Sequence, residues 1–317
     1  MVGKSVSTVT RRRNMLVGRL AATFVVVAAL AVAFVLASRF VFARFRGDAS
    51  VVNLYRAWES YDYQNVYDIS TDILRKKPFN NAALMLHGYA AFFLSLSATD
   101  TTQSQDLLDE SINALRLALL TAKDKTVSQL EYMLGKAYFY KDTFSSYYYY
   151  ADLAVRYLTR ARRDGYQADD IPEFLGLSYA SLDMTMESIS AFTEALLVRE
   201  SDLLLLSIAE QYYKAGQSVA AGQYLYRISQ DCKDEKILLR GSLLHGQIAL
   251  EDEKYAEAEK EFQAILEKNE NSADAYYYLG VLYEKQGDSA RARSQWRRAL
   301  RVQPNHSGAL KKMADFR

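Results

Sequence analysis

Two kinds of hydrophobic pattern divide this chain. From Leu20 to Ala37 the sequence LAATFVVVAALAVAFVLA has eighteen uncharged, mostly apolar residues and no polar face. As a helix it is about 27 Å long, close to the hydrocarbon thickness of a bilayer. From about residue 47 onward apolar residues instead recur at spacings of three and four, the mark of helices with one buried face. Alternating Val/Ile/Thr-rich runs bounded by turn clusters are missing, and there are only 3 Pro and 14 Gly. The expectation is an all-α chain: a basic tail over 1–19, a transmembrane helix over 20–38, and helices to the end.

The helical part has a period of its own. The clearest unit, residues 273–306, reads ADAYYYLGVLYEKQGDSARARSQWRRALRVQPNH. Gly280 and Ala292 are small where two helices cross closely, Trp296 fills space toward the next unit, and Pro304 stops the second helix. Stepping back by 34 gives Gly246, Ala258 and Phe262, then Ala209, Tyr212, Gly216, Ala221 and Leu225 with three extra residues in SQDCKDEK. Earlier sets are Leu175, Gly176, Tyr179, Phe192 and Ala195; Leu134, Gly135 and Tyr138 with Ala154, Leu158 and Ala161 seven residues late; and Gly88 with Leu115 and Ala118 after the polar loop LSATDTTQSQD. The first set is Leu54, Ala57, Ile73 and Pro78.

These residues, above all Tyr276, Leu279, Gly280, Tyr283, Ala292, Trp296, Ala299 and Pro304, resemble the tetratricopeptide (TPR) repeat. The resemblance implies a TPR-like superhelical solenoid of helix-turn-helix units over 47–306, about seven repeats with a concave face lined by first helices. Residues 307–317 then form a capping helix.

Charge sharpens the reading of the N-terminus. Residues 1–50 carry eight Lys/Arg against Asp48 alone, whereas the remainder has a net charge of −6. Five basic residues precede the apolar segment and three follow it, so the positive-inside bias favours a cytoplasmic N-terminus, an exported repeat domain and a single pass through the cytoplasmic membrane. Arg19 snorkels to lengthen the span. A signal peptide cut after Ala37 is the rival, with Val35 and Ala37 as the small residues before the cut. Cys232, the single cysteine, excludes an internal disulfide and any multi-cysteine metal site.

No catalytic constellation is present: there is no HExxH, GxSxG or GxGxxG, and Gly135-Lys136 lacks the earlier glycine and the Ser/Thr of a phosphate loop. The chain is therefore expected to be no enzyme and to need no cofactor, metal or small-molecule substrate. His87 and His245 directly precede repeat glycines, a position expected to face the interior, while His306 follows the stop proline and is expected to be exposed. Arg291, Arg293, Arg297, Arg298 and Arg301 read as a solvated helix face rather than a nucleic-acid site, because the repeat region is acidic overall.

Function then rests on surfaces that meet other proteins. In the run SSYYYYADLA a second helix starting two turns early, capped by Thr143 or Ser145, would turn Tyr147 and Tyr150 inward and leave Tyr148 and Tyr149 outward or on a flank. The concave positions implied by the resemblance include Val51, Tyr55 and Trp58; Met85, Tyr89, Phe92 and Phe93; and Tyr132, Lys136, Phe139 and Tyr140. The Lys/Asn carboxylate clamp of chaperone-binding TPR proteins is missing among them. Two readings of these aromatics stand: a groove for an apolar peptide or partner helix, or residues covered by neighbouring helices. The layout resembles bacterial envelope TPR proteins, such as translocon-associated anchored subunits and collar proteins around spirochaete flagellar motors. It implies a scaffold for membrane-associated proteins of an envelope assembly. The alternative is a cytoplasmic-facing regulatory adaptor, with an enzyme a distant third.

Overall fold

The computed structural model describes residues 49–145, 149–228 and 232–315. The basic tail, the apolar segment over 20–38 and Tyr148 lie outside them. Fifteen helices and no strand occur among the described residues, and none of these helices is long and apolar enough to cross a membrane. The chain divides into two compact units, one ending at Leu94 and one beginning at Ser95.

The first unit holds α1 (Ala49–Glu59), α2 (Tyr63–Lys76) and most of α3 (Asn81–Ser97). The second continues with α4 (Thr101–Leu120), α5 (Asp124–Phe144), α6 (Ala151–Arg163), α7 (Ile171–Ser181), α8 (Thr185–Val198), α9 (Asp202–Lys214) and α10 (Ser218–Arg227). It ends with α11 (Glu235–Glu251), α12 (Tyr255–Lys268), α13 (Ala273–Lys285), α14 (Ser289–Val302) and α15 (Ser307–Asp315). Within the second unit each helix packs on the next, and the pairs α5/α7, α9/α11 and α11/α13 also touch.

Repeated small-to-large pairs explain how the hairpins close. A Cβ added to Gly280 would lie 2.3 Å from Trp296 Nε1, one on Gly246 2.6 Å from a Phe262 ring carbon, and one on Gly176 2.4 Å from a Phe192 ring carbon. Each ring lies sixteen residues after its glycine. Gly135 meets Leu158 in the same way at 2.6 Å, with the interval lengthened by seven. The first unit exchanges the sizes: Leu54 stands in the glycine's place and Ser70 in the ring's, both fully buried. Helix starts are fixed by side chains that accept otherwise unpaired N–H groups. Asp62, Asp100, Ser201, Asp234, Ser272 and Asp288 all do so, each worth about 1 kcal/mol. The hairpin turns need a left-handed residue, supplied by Gly216 and Gly287 in two of them and by Asp183 and Glu253 in others.

Three expectations are corrected. The seven extra residues before the third second-helix do not extend α6 backwards; α5 runs on to Phe144 and α6 begins only at Ala151. Asp142 is the cause: its Oδ1 accepts the N–H groups of Tyr150 at 2.7 Å and Ala151 at 3.2 Å, capping α6 from the end of α5. Its Oδ2 accepts from Ser181 Oγ of α7 at 2.8 Å. His306 is buried rather than exposed: Nδ1 accepts from Ala309 N–H at 3.1 Å and Nε2 lies 3.0 Å from Asp274 Oδ1, so it caps α15 and ties it to α13. His245 is half exposed, although the residue one period later, Leu279, is buried. His87 is interior as expected, bonded through Nδ1 to Ser70 Oγ at 2.9 Å and stacked on Tyr67.

Candidate protein-binding surfaces

In the first unit the aromatic side chains gather where α1, α2 and α3 meet. Trp58 lies 5.7 Å from Tyr63, 5.6 Å from Tyr89 and 6.2 Å from Phe93 between ring centroids, and Tyr63 stacks on Phe93 at 4.5 Å. Phe92 at 1% exposure and Tyr89 at 3% are core residues that no partner can reach in the folded chain. The groove expected from the sequence therefore loses both. Trp58 and Phe93 are half-buried, and Tyr55 faces solvent at 41% exposure.

The second unit joins the other predicted residues into one polar-aromatic cluster between first helices of successive pairs. Tyr132 Oη donates to the Asp170 carboxylate at 2.8 Å, and Lys136 Nζ reaches Asp170 Oδ2 at 2.8 Å and Tyr132 Oη at 3.1 Å. The ammonium also sits 4.8 Å from the Phe174 ring centroid, within cation–π reach, while at Tyr132 it meets the hydroxyl edge of the ring. Phe139 packs edge-on against Phe174 at 4.9 Å, Tyr140 lies beside both, and Tyr166 is 4.8 Å from Tyr132. Tyr132 is almost covered, whereas Phe139 and Tyr140 are half-buried and keep accessible edges.

Sequence reasoning missed Asp170, Tyr166 and Phe174, and the period could not point to them: the seven-residue insertion sets the repeat glycines Gly135 and Gly176 41 residues apart, so Tyr166 and Asp170 lie in the connection before α7, opposite Tyr132 and Lys136, rather than at their repeat equivalents. The tyrosine run contributes differently: Tyr149 is 85% exposed in the connection, and Tyr150 stacks toward Tyr138.

The cluster also sets a titration. Burial, and then the hydrogen bond to Asp170, push the Tyr132 phenol far above its usual value, and burial raises Tyr140 and Tyr166, with Asp170 adding to it. Folded values above the unfolded value of 10.0 mean that this stability is fully present below about pH 10 and is lost as pH rises through the folded values. We expect Tyr132→Phe to cost about 1–2 kcal/mol at neutral pH and to weaken the loss of stability above pH 10. Urea unfolding across that range checks it; an unchanged alkaline slope would remove Tyr132 from the account.

On α14, Arg291 pairs with Asp288 and lies over the Tyr283 ring at 4.5 Å, while Arg293, Arg297, Arg298 and Arg301 are exposed. Among the described residues no group of His, Cys, Asp and Glu is arranged to hold a metal ion.

Comparison with known proteins joins this geometry to a family. The tetratricopeptide repeat profile matches residues 243–308. Residues 243–308 are tetratricopeptide repeat. The C-terminal part of a TPR repeat-containing protein from Cytophaga hutchinsonii is similar at TM-score 0.53 and 13% identity, over 82% of this chain and 98% of that one. A tetratricopeptide repeat protein from Parabacteroides merdae is similar at TM-score 0.52 and 16% identity, over 83% and 96%. These likenesses extend the TPR fold beyond the matched stretch. A curated relative, a probable biofilm formation methyltransferase of Pseudomonas putida, is 40% identical over 58 residues; that is 18% of this chain and 14% of the relative. The chain thus spans only a small fraction of that relative's length.

Proposed function

We propose that this chain is a non-catalytic, single-pass membrane scaffold whose TPR units stand outside the cytoplasmic membrane and hold membrane-associated proteins of an envelope assembly. The observation that carries the binding part is the cluster around Lys136. Phe139 and Tyr140 offer accessible aromatic edges beside a fixed Lys136–Asp170 pair, so apolar contact and polar registration lie together on the first helices. The apolar stretch Leu20–Ala37 with its basic flanks supports the anchor and its direction. Anchoring favours a partner that is itself tethered, because sharing a membrane raises the effective concentration of both. The exposed tyrosine Tyr149, and separately in the first unit Tyr55, Trp58 and Phe93, are further aromatic residues open to such partners.

Protease added to spheroplasts with a sealed cytoplasm tests the topology. The repeats are expected to be digested while a cytoplasmic marker survives. Repeats protected until the membrane is lysed would replace this reading with that of a cytoplasmic regulatory adaptor.

A further inference from the structure

Between α10 and α11 the stacking leaves an apolar space. The second helices α8, α12 and α14 each have 14 residues, but α10 has only 10, ending at Arg227. Aligned on Ala221 and Ala258, which are both fully buried, α10 stops about one turn before its counterpart α12. At the α12/α13 junction Ile265 and Ala275 fill the space and are buried. At the α10/α11 junction the equivalent residues are Ile228, outside the helix, and Gly241. A cavity of about 470 Å³ opens there, with Leu225, Ile228, Ile237, Leu238 and Ile248 forming its apolar wall. Gly222 and Gly241 line it, and a Cβ on either would meet nothing within 4 Å, so here the glycines leave space rather than permit a close crossing.

Its rim has a charge. Glu257 and Glu261, one turn apart on α12, point to His245 with oxygens 3.8 Å and 3.5 Å from the imidazole. The ion pairs of both carboxylates are with His245, a cation only when protonated, and Lys254 adds a further electrostatic pull on Glu257 without a close ion pair. Elsewhere on the unit, exposed acids such as Glu194, Glu200 and Glu210 are paired with arginine. Tyr226, 91% exposed, stands beside the opening with its ring free to lie over a cation.

We infer that this junction pocket binds a protein segment that inserts one large apolar side chain and places a lysine or arginine beside Glu257 and Glu261. The volume suits one aromatic or branched side chain with its backbone, the wall supplies the apolar burial, and the two carboxylates select the flanking charge. The same carboxylates repel anionic lipid headgroups and nucleic acid, which sets these occupants aside on charge. The site is built from α10, α11 and α12, separate from the Lys136 cluster, and needs no membrane anchoring.

The test uses the detergent-solubilised full chain and fluorescein-labelled, end-capped peptides with a single Trp a few residues from a Lys in a Gly/Ser background. Controls replace Lys with Glu, or Trp with Ser. Binding of the Trp/Lys peptides is expected to be about tenfold or more tighter than that of either control, and to weaken with salt. Gly241→Leu fills the cavity and is expected to abolish the difference without changing the melting temperature. Glu257→Lys with Glu261→Lys, on the surface, is expected to reverse the preference to the Glu peptides, and decides the matter should Gly241→Leu fail to fold. Equal binding of all peptides, or a preference unmoved by the charge reversal, overturns the inference. So does occupation by anionic vesicles or by a second copy of the chain, seen as vesicle co-sedimentation or concentration-dependent mass.

Discussion

Gly280→Leu is expected to destabilise the C-terminal hairpin by about 1–3 kcal/mol, and Trp296→Ala by about 3–5 kcal/mol. Any side chain at 280 enters the Trp296 ring, and the ring cannot swing aside: it is fully buried, and its Nε1–H donates to Tyr277 O at 3.2 Å. The instructive variant carries both Gly280→Leu and Trp296→Ala. It sets a large residue before a small one, as Leu54 and Ser70 do, so it should be less destabilised than the two single changes summed, by about 1–3 kcal/mol. Urea unfolding followed by helical circular dichroism reads all three. Strict additivity would mean that the residues at 280 and 296 do not share one space.

Arg160→Ala should cost about 3 kcal/mol near neutral pH, the lower end for a broken buried pair because Arg160 itself is half exposed. Its Nε lies 3.0 Å from Glu131 Oε1, and the Glu131 side chain is only 1% exposed, with Oε2 buried and lacking a hydrogen-bond partner. Burial pushes the Glu131 carboxyl above its usual value against the opposing pull of Arg160. Removing the guanidinium leaves burial to push it further. A folded value above the unfolded 4.5 means the penalty is absent below about pH 4.5 and grows as pH rises through the folded value. Stability of the variant should therefore approach that of the parent in acid, and Glu131→Met in the same chain should recover most of the loss at neutral pH. A deficit independent of pH would show that Arg160 acts through packing alone.

The sequence disclosed the helix pairs because their determinants are local and periodic: small residues at 176, 246 and 280 are answered by large ones sixteen residues on, and Gly135 by Leu158 after the lengthened interval. Where a determinant crosses a loop the pattern is silent. Periodicity alone cannot tell an extended α5 from an early α6, since both keep apolar faces in phase; the choice is made by Asp142, whose carboxylate caps a helix eight residues further on. His306 misled for a related reason. Its partners, Asp274 and Ala309, lie on two different helices, so a position after a stop proline became a buried cap. His245 occupies a core position of the repeat, yet it lines the pocket between α10 and α11 and stays half exposed. Among the surface residues, the aromatic character of Tyr89 and Phe92 is visible in the sequence, but their depth depends on how tightly the hairpins close.

Within the second unit the main helix contacts reach one or two places along the sequence, so a tensile load applied between α4 and α15 would pass along the hairpins in turn. At the short α10 the load has two routes, through α10/α11 and directly through α9/α11. A partner seated in the pocket between α10 and α11 would brace the first of these routes, and so resist the drawing apart of the helices on either side.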